Sequence, residues 1–325
     1  MSEKVYPICV IGGGSAGTMA VIRSVLNNDE TLFFPGTPKD KKRSRDFWVS
    51  KVENMPAHLG YKKGIVQPNK ESIDWLENGN FKEKLHHKKR QGVTGIQKTG
   101  DLFQIISSED EKYLCEYVIL CTGVMDVQPK IGGSIDPILP YANIQLADYC
   151  LRCDGHHVLN KRLSVIGEGD GAAWVGIMLK ERYECPQVDL LMHGKRAAFS
   201  EDVQKLINKY QFNVFESEIT EVIGDRKVLK GYKLSNGENV ETDFTFISLG
   251  MIVYNELAVS LGADVDKRGF VLTDEKGETS VSNLFVAGDL RANSMKQIYT
   301  AWNHAVESAD KINGRIRAKK RATQL

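Results

Sequence analysis

The 325-residue chain shows little imbalance of charge, no long apolar run and few cysteines, and each shortage closes off a class of protein. With 43 basic against 42 acidic residues the formal net charge is +1, so there is no global basic field and nucleic acid is not a favoured partner. No uninterrupted apolar stretch reaches the roughly 18 residues that a membrane-spanning helix needs, which argues against a membrane span. The opening MSEKVYPICVIGGG has no charged segment followed by a long apolar segment and cleavage site. A soluble, cytoplasmic protein is therefore expected. Of the six cysteines, Cys9, Cys115, Cys121 and Cys185 are scattered, three of them in or beside apolar strand-like runs where a reduced cysteine behaves as a small hydrophobe. Only Cys150 and Cys153 stand as a CxxC, and no second CxxC or nearby CxxH completes a zinc set, so no metal site is expected.

What is present is an ordinary globular composition, 42% hydrophobic and 26% charged, at a length that accommodates two domains. Residues 6–14 read as a buried strand running into a glycine turn, followed by a helix from about Ser15 to Asn27. Gly12, Gly14 and Gly17 form G-x-G-x-x-G in that setting. The first glycine permits the turn, the second lets a pyrophosphate approach the backbone, and the third lets helix and strand pack closely. The next strand, Thr31 to Phe34, ends in Pro35-Gly36 and lacks the acid that usually holds a ribose. Strands are expected around 103–107 and 117–121, the latter followed by a flexible Thr122-Gly123 turn. A second strand-to-glycine unit follows at Leu163 to Gly167, where Gly167, Gly169 and Ala172, with Asp170 between them, give G-x-G-x-x-A opening a helix. Further strands are expected near 189–192, 214–216, 232–234, 245–248 and 283–289, with a last helix from about Gln297 to Gly314. Between the two fingerprints lies Cys150-Leu151-Arg152-Cys153-Asp154-Gly155. Two thiols so spaced can close a small-ring disulfide, although half of a zinc site or an inert pair reads the same way. For Asp154 the spacing alone leaves a turn or cap role open beside an acid–base one.

In order along the chain, Gly12-Gly13-Gly14-Ser15-Ala16-Gly17, Val52-Glu53-Asn54-Met55-Pro56, Cys150 to Gly155, Thr279-Ser280-Val281 with Asn283 to Asp289, and Lys296-Gln297 resemble the motifs of the low-molecular-weight thioredoxin reductases. The resemblance covers nearly the whole chain. It implies an α/β protein of two Rossmann-like, three-layer dinucleotide-binding domains, with an FAD domain built from both chain ends (1–122 and 250–325) and a central NAD(P)-binding-like domain (123–249) carrying the CxxC. It implies FAD held by Gly12, Gly14, Ser15, Ala16, Gly17, Gly36, Asn54, Gly123, Gly288, Asp289, Lys296, Gln297 and Ile298, and a nicotinamide site at Gly167, Gly169, Asp170, Ala172, Lys195 and Arg196. It also implies a homodimer that reduces a thioredoxin-like protein, with Cys153 facing the flavin, Cys150 attacking the partner disulfide and Asp154 as general acid or base.

The chain departs from that pattern where NADPH would be recognised. Gly171 replaces a serine of the second glycine loop, and Trp174-Val175 stand in place of an acidic pair. The expected H-R-R-x-x-x-R clamp on the 2′-phosphate is His193-Gly194-Lys195-Arg196-Ala197-Ala198-Phe199. Losing two arginines weakens discrimination for NADPH over NADH. Three readings follow: a reductase fed by NADPH or NADH, the same dithiol chemistry fed by ferredoxin or a second flavin, and a flavin-binding redox sensor with little turnover. The basic stretch 38–51, with Phe47 and Trp48, and the tail from Arg315 are solvated surface or docking sites for an acidic ferredoxin. Trp302 reads as a core residue or a flavin neighbour, and His304 as structural or surface.

Overall fold

The computed structural model describes residues 4–37, 45 and 49–323. The segment with Phe47 and Trp48 lies outside the described residues. The chain divides into two compact units, one of residues 1–44, 65–125 and 253–325, the other of 45–64 and 126–252. The crossovers thus lie three residues beyond the expected 122/123 and 249/250, and residues 45–64 join the central unit.

The unit of both chain ends is built on a seven-stranded sheet. Leu85–His87, Thr31–Phe34, Val5–Ile11 and Lys112–Leu120 run parallel in that spatial order. The nine-residue strand Lys112–Leu120 is long enough to pair twice along one edge: its first half is antiparallel to Leu102–Ser107, and its second half is parallel to Leu284–Val286. Antiparallel Val93–Thr99 completes the sheet. Ile8, Val10 and Ile119 are fully buried, as expected for parallel strands covered on both faces, and each such side chain contributes about 1.5–3 kcal/mol. One face is covered by Ser15–Leu26 and Ile298–Ala322, whose Ala16, Ala20, Ala301, Ala305 and Ala309 join one core. Small side chains there permit close helix packing.

The expected end of the last helix at Gly314 is corrected by the structure, which carries the helix on to Ala322. A glycine inside a helix costs only about 1 kcal/mol. Arg315 pairs with Glu278 at 2.6 Å, Arg317 with the buried Asp29 at 2.5 Å, and Lys319 with Glu116 at 2.9 Å, holding the extra turns down. Three basic residues of the tail therefore have acidic partners within the fold.

The central unit carries a five-stranded parallel sheet in the order Asn213–Phe215, Val188–Leu191, Leu163–Gly167, Phe244–Ser248, Ala147–Asp148. Helices Gly169–Tyr183 and Glu201–Tyr210 accompany it, and Ile219–Gly224, Leu229–Leu234 and Asn239–Glu241 form a separate antiparallel sheet. Among the described residues, two helices of ten or more residues had not been expected, Val66–Asn78 and Glu201–Tyr210. The second buries Val203 and Ile207, a legible i, i+4 pair. No helix of the described residues is long and apolar enough to cross a membrane.

Candidate active site

Cys150 and Cys153 form a disulfide, their Cα atoms 5.3 Å apart. Cys150 is the N-cap of the single helical turn Leu151–Asp154, and its sulfur accepts a hydrogen bond from the Cys153 backbone N–H at 3.2 Å. After reduction the same donor favours a thiolate at Cys150. The scattered cysteines are buried, and burial pushes the thiols of Cys9, Cys121 and Cys185 up, the last to about 11. These three thiols remain un-ionised and inert near neutral pH.

Asp154 is 5% exposed, and its carboxylate lies within 4.8 Å of both sulfurs. Burial, reinforced by the neighbouring Asp148 carboxyl, pushes Asp154 up to about 7, while His157 and Arg45 pull the other way. A carboxyl group poised there can give and take a proton at working pH. Asp154 also stands at the N-cap position of the 3-10 turn Gly155–Val158, the place before Gly155 that had been left open, but its side chain makes no capping hydrogen bond there.

Three segments assemble the surroundings of Asp154. The 3-10 turn Gly155–Val158 presents His157, whose Nδ1 lies 2.8 Å from Asp148 Oδ2 and whose Nε2 lies 2.8 Å from Glu53 Oε2. Glu53 Oε2 also meets His156 Nε2 at 2.7 Å. Burial lowers His157, but hydrogen bonds to Asp148 and Glu53 outweigh it and bring the imidazole up to about 9. Hydrogen bonds from His157 and His156 hold the Glu53 carboxyl below its ordinary range, whereas burial raises Asp148 against the pull of His157. His156 and His157 were not among the expected site residues. Their only signal was two adjacent imidazoles directly after the redox motif.

In the unit of both chain ends, the first glycine turn sits at the carboxyl ends of parallel strands. Gly12 has φ +115°, and a Cβ there would meet the Cys121 carbonyl oxygen at 2.3 Å. At Gly17 a Cβ would lie 1.7 Å from the Gly12 carbonyl oxygen, so only glycine lets helix and strand approach. Gly14 differs: a Cβ would meet nothing within 4 Å, and as N-cap it supplies no side chain to the N–H groups of Ser15–Leu26, whose first turn contains no acid. An uncapped helix N-terminus beneath an open backbone fits a diphosphate. Gly36, Gly123 and Gly288 lie two or three residues beyond the neighbouring strands Thr31–Phe34, Lys112–Leu120 and Leu284–Val286. A Cβ on Gly288 would lie 2.7 Å from Ala16 Cβ, and Asp289 follows in the 3-10 turn Gly288–Leu290. Lys296 Nζ lies 4.1 Å over the Phe270 ring, and buried Gln297 is the N-cap of the helix that Ile298 opens. Asn54, by contrast, belongs to the central unit and is exposed. Trp302 is half-buried, and His304 is buried, which with nearby Arg291 pushes it down to about 4 and keeps it neutral.

The second glycine turn is packed differently. Gly167 admits no Cβ, because Ser248 O and Ala172 Cβ would lie 2.6 and 2.7 Å away. The space before the helix Gly169–Tyr183 is bordered by the loop that follows Val188–Leu191. The Ala198 carbonyl oxygen is 3.6 Å from where a Gly169 Cβ would stand, and the Asp170 carboxylate accepts the Ser200 N–H at 2.8 Å. In the same loop the Ala197 N–H donates to Glu216 at 2.7 Å. Lys195 and Arg196 are exposed, and a groove of about 480 Å³ beside them is lined by Ala197, Phe199, Glu216 and Glu238.

Comparison with known proteins agrees with this geometry. The chain is 28% identical over 313 residues to the thioredoxin reductase of Listeria monocytogenes, covering 92% of this chain and 90% of that one. It is 27% identical to the thioredoxin reductase of Bacillus subtilis, covering 92% and 91%. Among solved structures, the thioredoxin reductase of Streptococcus pyogenes superposes with a TM-score of 0.82 at 20% identity, covering 98% of this chain and all of the other. That of Giardia duodenalis gives 0.80 at 22% identity, covering 97% and 100%. These two likenesses establish the fold, two dinucleotide-binding domains. The profile of the pyridine nucleotide-disulphide oxidoreductases matches residues 6–305, and the chain belongs to that family.

Proposed function

We propose that this flavin-dependent disulfide oxidoreductase reduces the disulfide of a thioredoxin-like protein, Cys150 attacking the partner and Cys153 receiving electrons from the flavin side. The observation that carries the reading is the Cys150–Cys153 disulfide with the buried carboxyl of Asp154 beside it. FAD, when bound, supplies two-electron transfer to that disulfide. The unit of both chain ends is the one we assign to it. Gly12, Gly14, Ser15, Ala16 and Gly17 would hold its diphosphate, and Gly36, Gly123, Gly288, Asp289, Lys296, Gln297 and Ile298 the rest; Asn54 is assigned by resemblance alone. The Cys153 N–H steadies the Cys150 thiolate, and Asp154 protonates the sulfur that the partner disulfide releases. A homodimer working in the cytoplasm is likewise read from the resemblance.

Gly167, Gly169, Asp170, Ala172, Lys195 and Arg196 are the residues left to receive a nicotinamide dinucleotide. The geometry around them favours a second reading of the electron donor. A dinucleotide phosphate there would face the Asp170 carboxylate and the Ala198 carbonyl, and a 2′-phosphate would face Glu216 and Glu238. NADPH is then a poor donor with little advantage over NADH, and a reduced ferredoxin or second flavin feeds the same dithiol. The experiment is anaerobic bleaching of the flavin by NADPH, NADH and reduced ferredoxin at rising concentration, followed by reduction of a thioredoxin. Slow bleaching by both nicotinamides, with dithiol delivery once the flavin is reduced, supports the reading. Fast bleaching by micromolar NADPH with NADH far slower returns the protein to NADPH use. A reduced flavin that never delivers electrons to a protein disulfide leaves the redox-sensor reading.

A further inference from the structure

The buried acid of the redox site is wired to the surface through two histidines, and that wiring has a consequence for disulfide exchange. Glu53, His157 and Asp148 form a continuous chain: His156 Nε2 to Glu53 Oε2 at 2.7 Å, Glu53 Oε2 to His157 Nε2 at 2.8 Å, and His157 Nδ1 to Asp148 Oδ2 at 2.8 Å. A ligand atom from each of Asp148, Asp154 and His157 lies within 4.8 Å of the others, and an Asp154 carboxylate oxygen lies within 4.8 Å of both sulfurs. Exposure falls along this line, from 48% for the His156 side chain through 30% for Glu53 to 15% for His157 and 7% for Asp148. The hydrogen-bonded line starts in solvent and ends at Asp148, within 4.8 Å of the acid beside the disulfide.

The exchange requires such a supply. In the first step the Cys150 thiolate bonds to one substrate sulfur, the substrate S–S bond breaks, and the departing sulfur takes the electron pair and the Asp154 proton. In the second, the Cys153 thiol passes its proton to the Asp154 carboxylate, and its sulfur attacks Cys150. The bond between Cys150 and the second substrate sulfur then breaks, and that sulfur leaves with the pair from this bond and the proton now on Asp154. The dithiol is oxidised to the disulfide, one substrate disulfide becomes two thiols, and Asp154 ends one proton short. We propose that His157 acts through Asp154 in this exchange: its imidazolium stabilises the carboxylate that Asp154 becomes and returns a proton to it, drawn from solvent through His156 and Glu53. The inference rests on the roles assigned above to Cys150, Cys153 and Asp154. The groups facing Asp154 are Asp148, His157, Glu53 and Arg45, the last also paired with Asp126 at 2.7 Å. His157 is the one imidazole among them and the one that Asp148 and Glu53 hold from both sides.

The test compares two substrates in a single turnover, using holoenzyme whose flavin and disulfide have been reduced photochemically beforehand. An alkyl disulfide releases a thiol with a pKa of about 8.5 and needs the acid; 5,5′-dithiobis(2-nitrobenzoate) releases an aromatic thiolate that does not. His157→Phe is expected to slow the alkyl exchange by about tenfold or more and the aromatic one by less than about twofold, with part of the alkyl rate restored by added imidazole. Because His157 holds Asp154 down, the same variant should also move the alkaline fall of the alkyl rate to higher pH. His157→Gln keeps a hydrogen-bonding side chain but no charge and should reproduce the discrimination if the phenylalanine variant fails to fold. Equal losses on both substrates with an unmoved pH limb, or no loss on either, would overturn the proposal. If the reduced wild type exchanges with neither disulfide, the roles of Cys150 and Cys153 fail first and this inference falls with them.

Discussion

Replacing Gly14 by valine separates the fold of the first glycine turn from its use. At φ −75° and ψ −168° Gly14 occupies extended backbone open to any residue, and a Cβ there meets nothing within 4 Å. The substitution should therefore spare the apoprotein and even stabilise it by about 0.4–1 kcal/mol through the unfolded chain. The bound flavin is another matter, because the side chain projects where a diphosphate must meet the first turn of Ser15–Leu26. A hydrogen bond to a charged group contributes about 1.5–3 kcal/mol, so losing two costs about 3–6 kcal/mol, roughly two to four decades of affinity. Gly17→Ala should do the reverse, since its methyl would stand 1.7 Å from the Gly12 carbonyl oxygen, a main-chain atom that cannot swing aside, and strain of about 1–3 kcal/mol or more falls on the fold itself. The assay is the ratio of flavin to protein absorbance after purification, followed by thermal melting of both apoproteins. A G14V protein as yellow as the wild type would refute the reasoning. So would an apo-G14V that melts below apo-G17A.

Cys150→Ser and Cys153→Ser should each abolish turnover of a protein disulfide, with long-wavelength absorbance from a thiolate beside the flavin in the first alone; wild-type turnover in either would make the pair structural. The raised Asp154 works against stability as pH rises: the unfolded carboxyl ionises near 4 while the folded one keeps its proton to about 7, so stability declines across that window and is flat above it. Asp154→Asn should raise the melting temperature more at pH 8 than at pH 5 while slowing exchange with alkyl disulfides, and equal shifts at both pH values would refute the burial argument. Arg317→Ala leaves the Asp29 carboxylate, 1% exposed, with Asn313 as its remaining partner at 2.8 Å from residues 311–323, and should destabilise by about 1–3 kcal/mol in urea denaturation.

Local patterns in the chain were enough to mark the two glycine turns, the redox pair and several of the central strands. Apolar runs that lead to glycine mark the strands Thr31–Phe34 and Leu163–Gly167 at the bounds that the structure shows, because a parallel strand covered on both faces is mostly apolar, with only the small Thr31 and Ser164 as buried polar side chains here. The CxxC and both glycine turns were legible for the same reason: backbone turns and small disulfide rings are made by neighbours in sequence. Tertiary structure decided everything that depends on distant segments meeting. Nothing local says that Arg315 and Arg317 would find Glu278 and Asp29, and without those partners Gly314 reads as a helix end. Whether a glycine turn is open or bordered is also a tertiary matter: Gly14 faces free space, while Gly169 has Ala198 near it, from a loop about thirty residues on. Glu53, Asp148 and His157 come from separate segments that converge around Asp154, and burial there, reinforced by Asp148 and Glu53 and opposed by His157, lifts that carboxyl to about 7. Burial and neighbouring charge set proton affinity, and both are properties of the folded surroundings rather than of the residue.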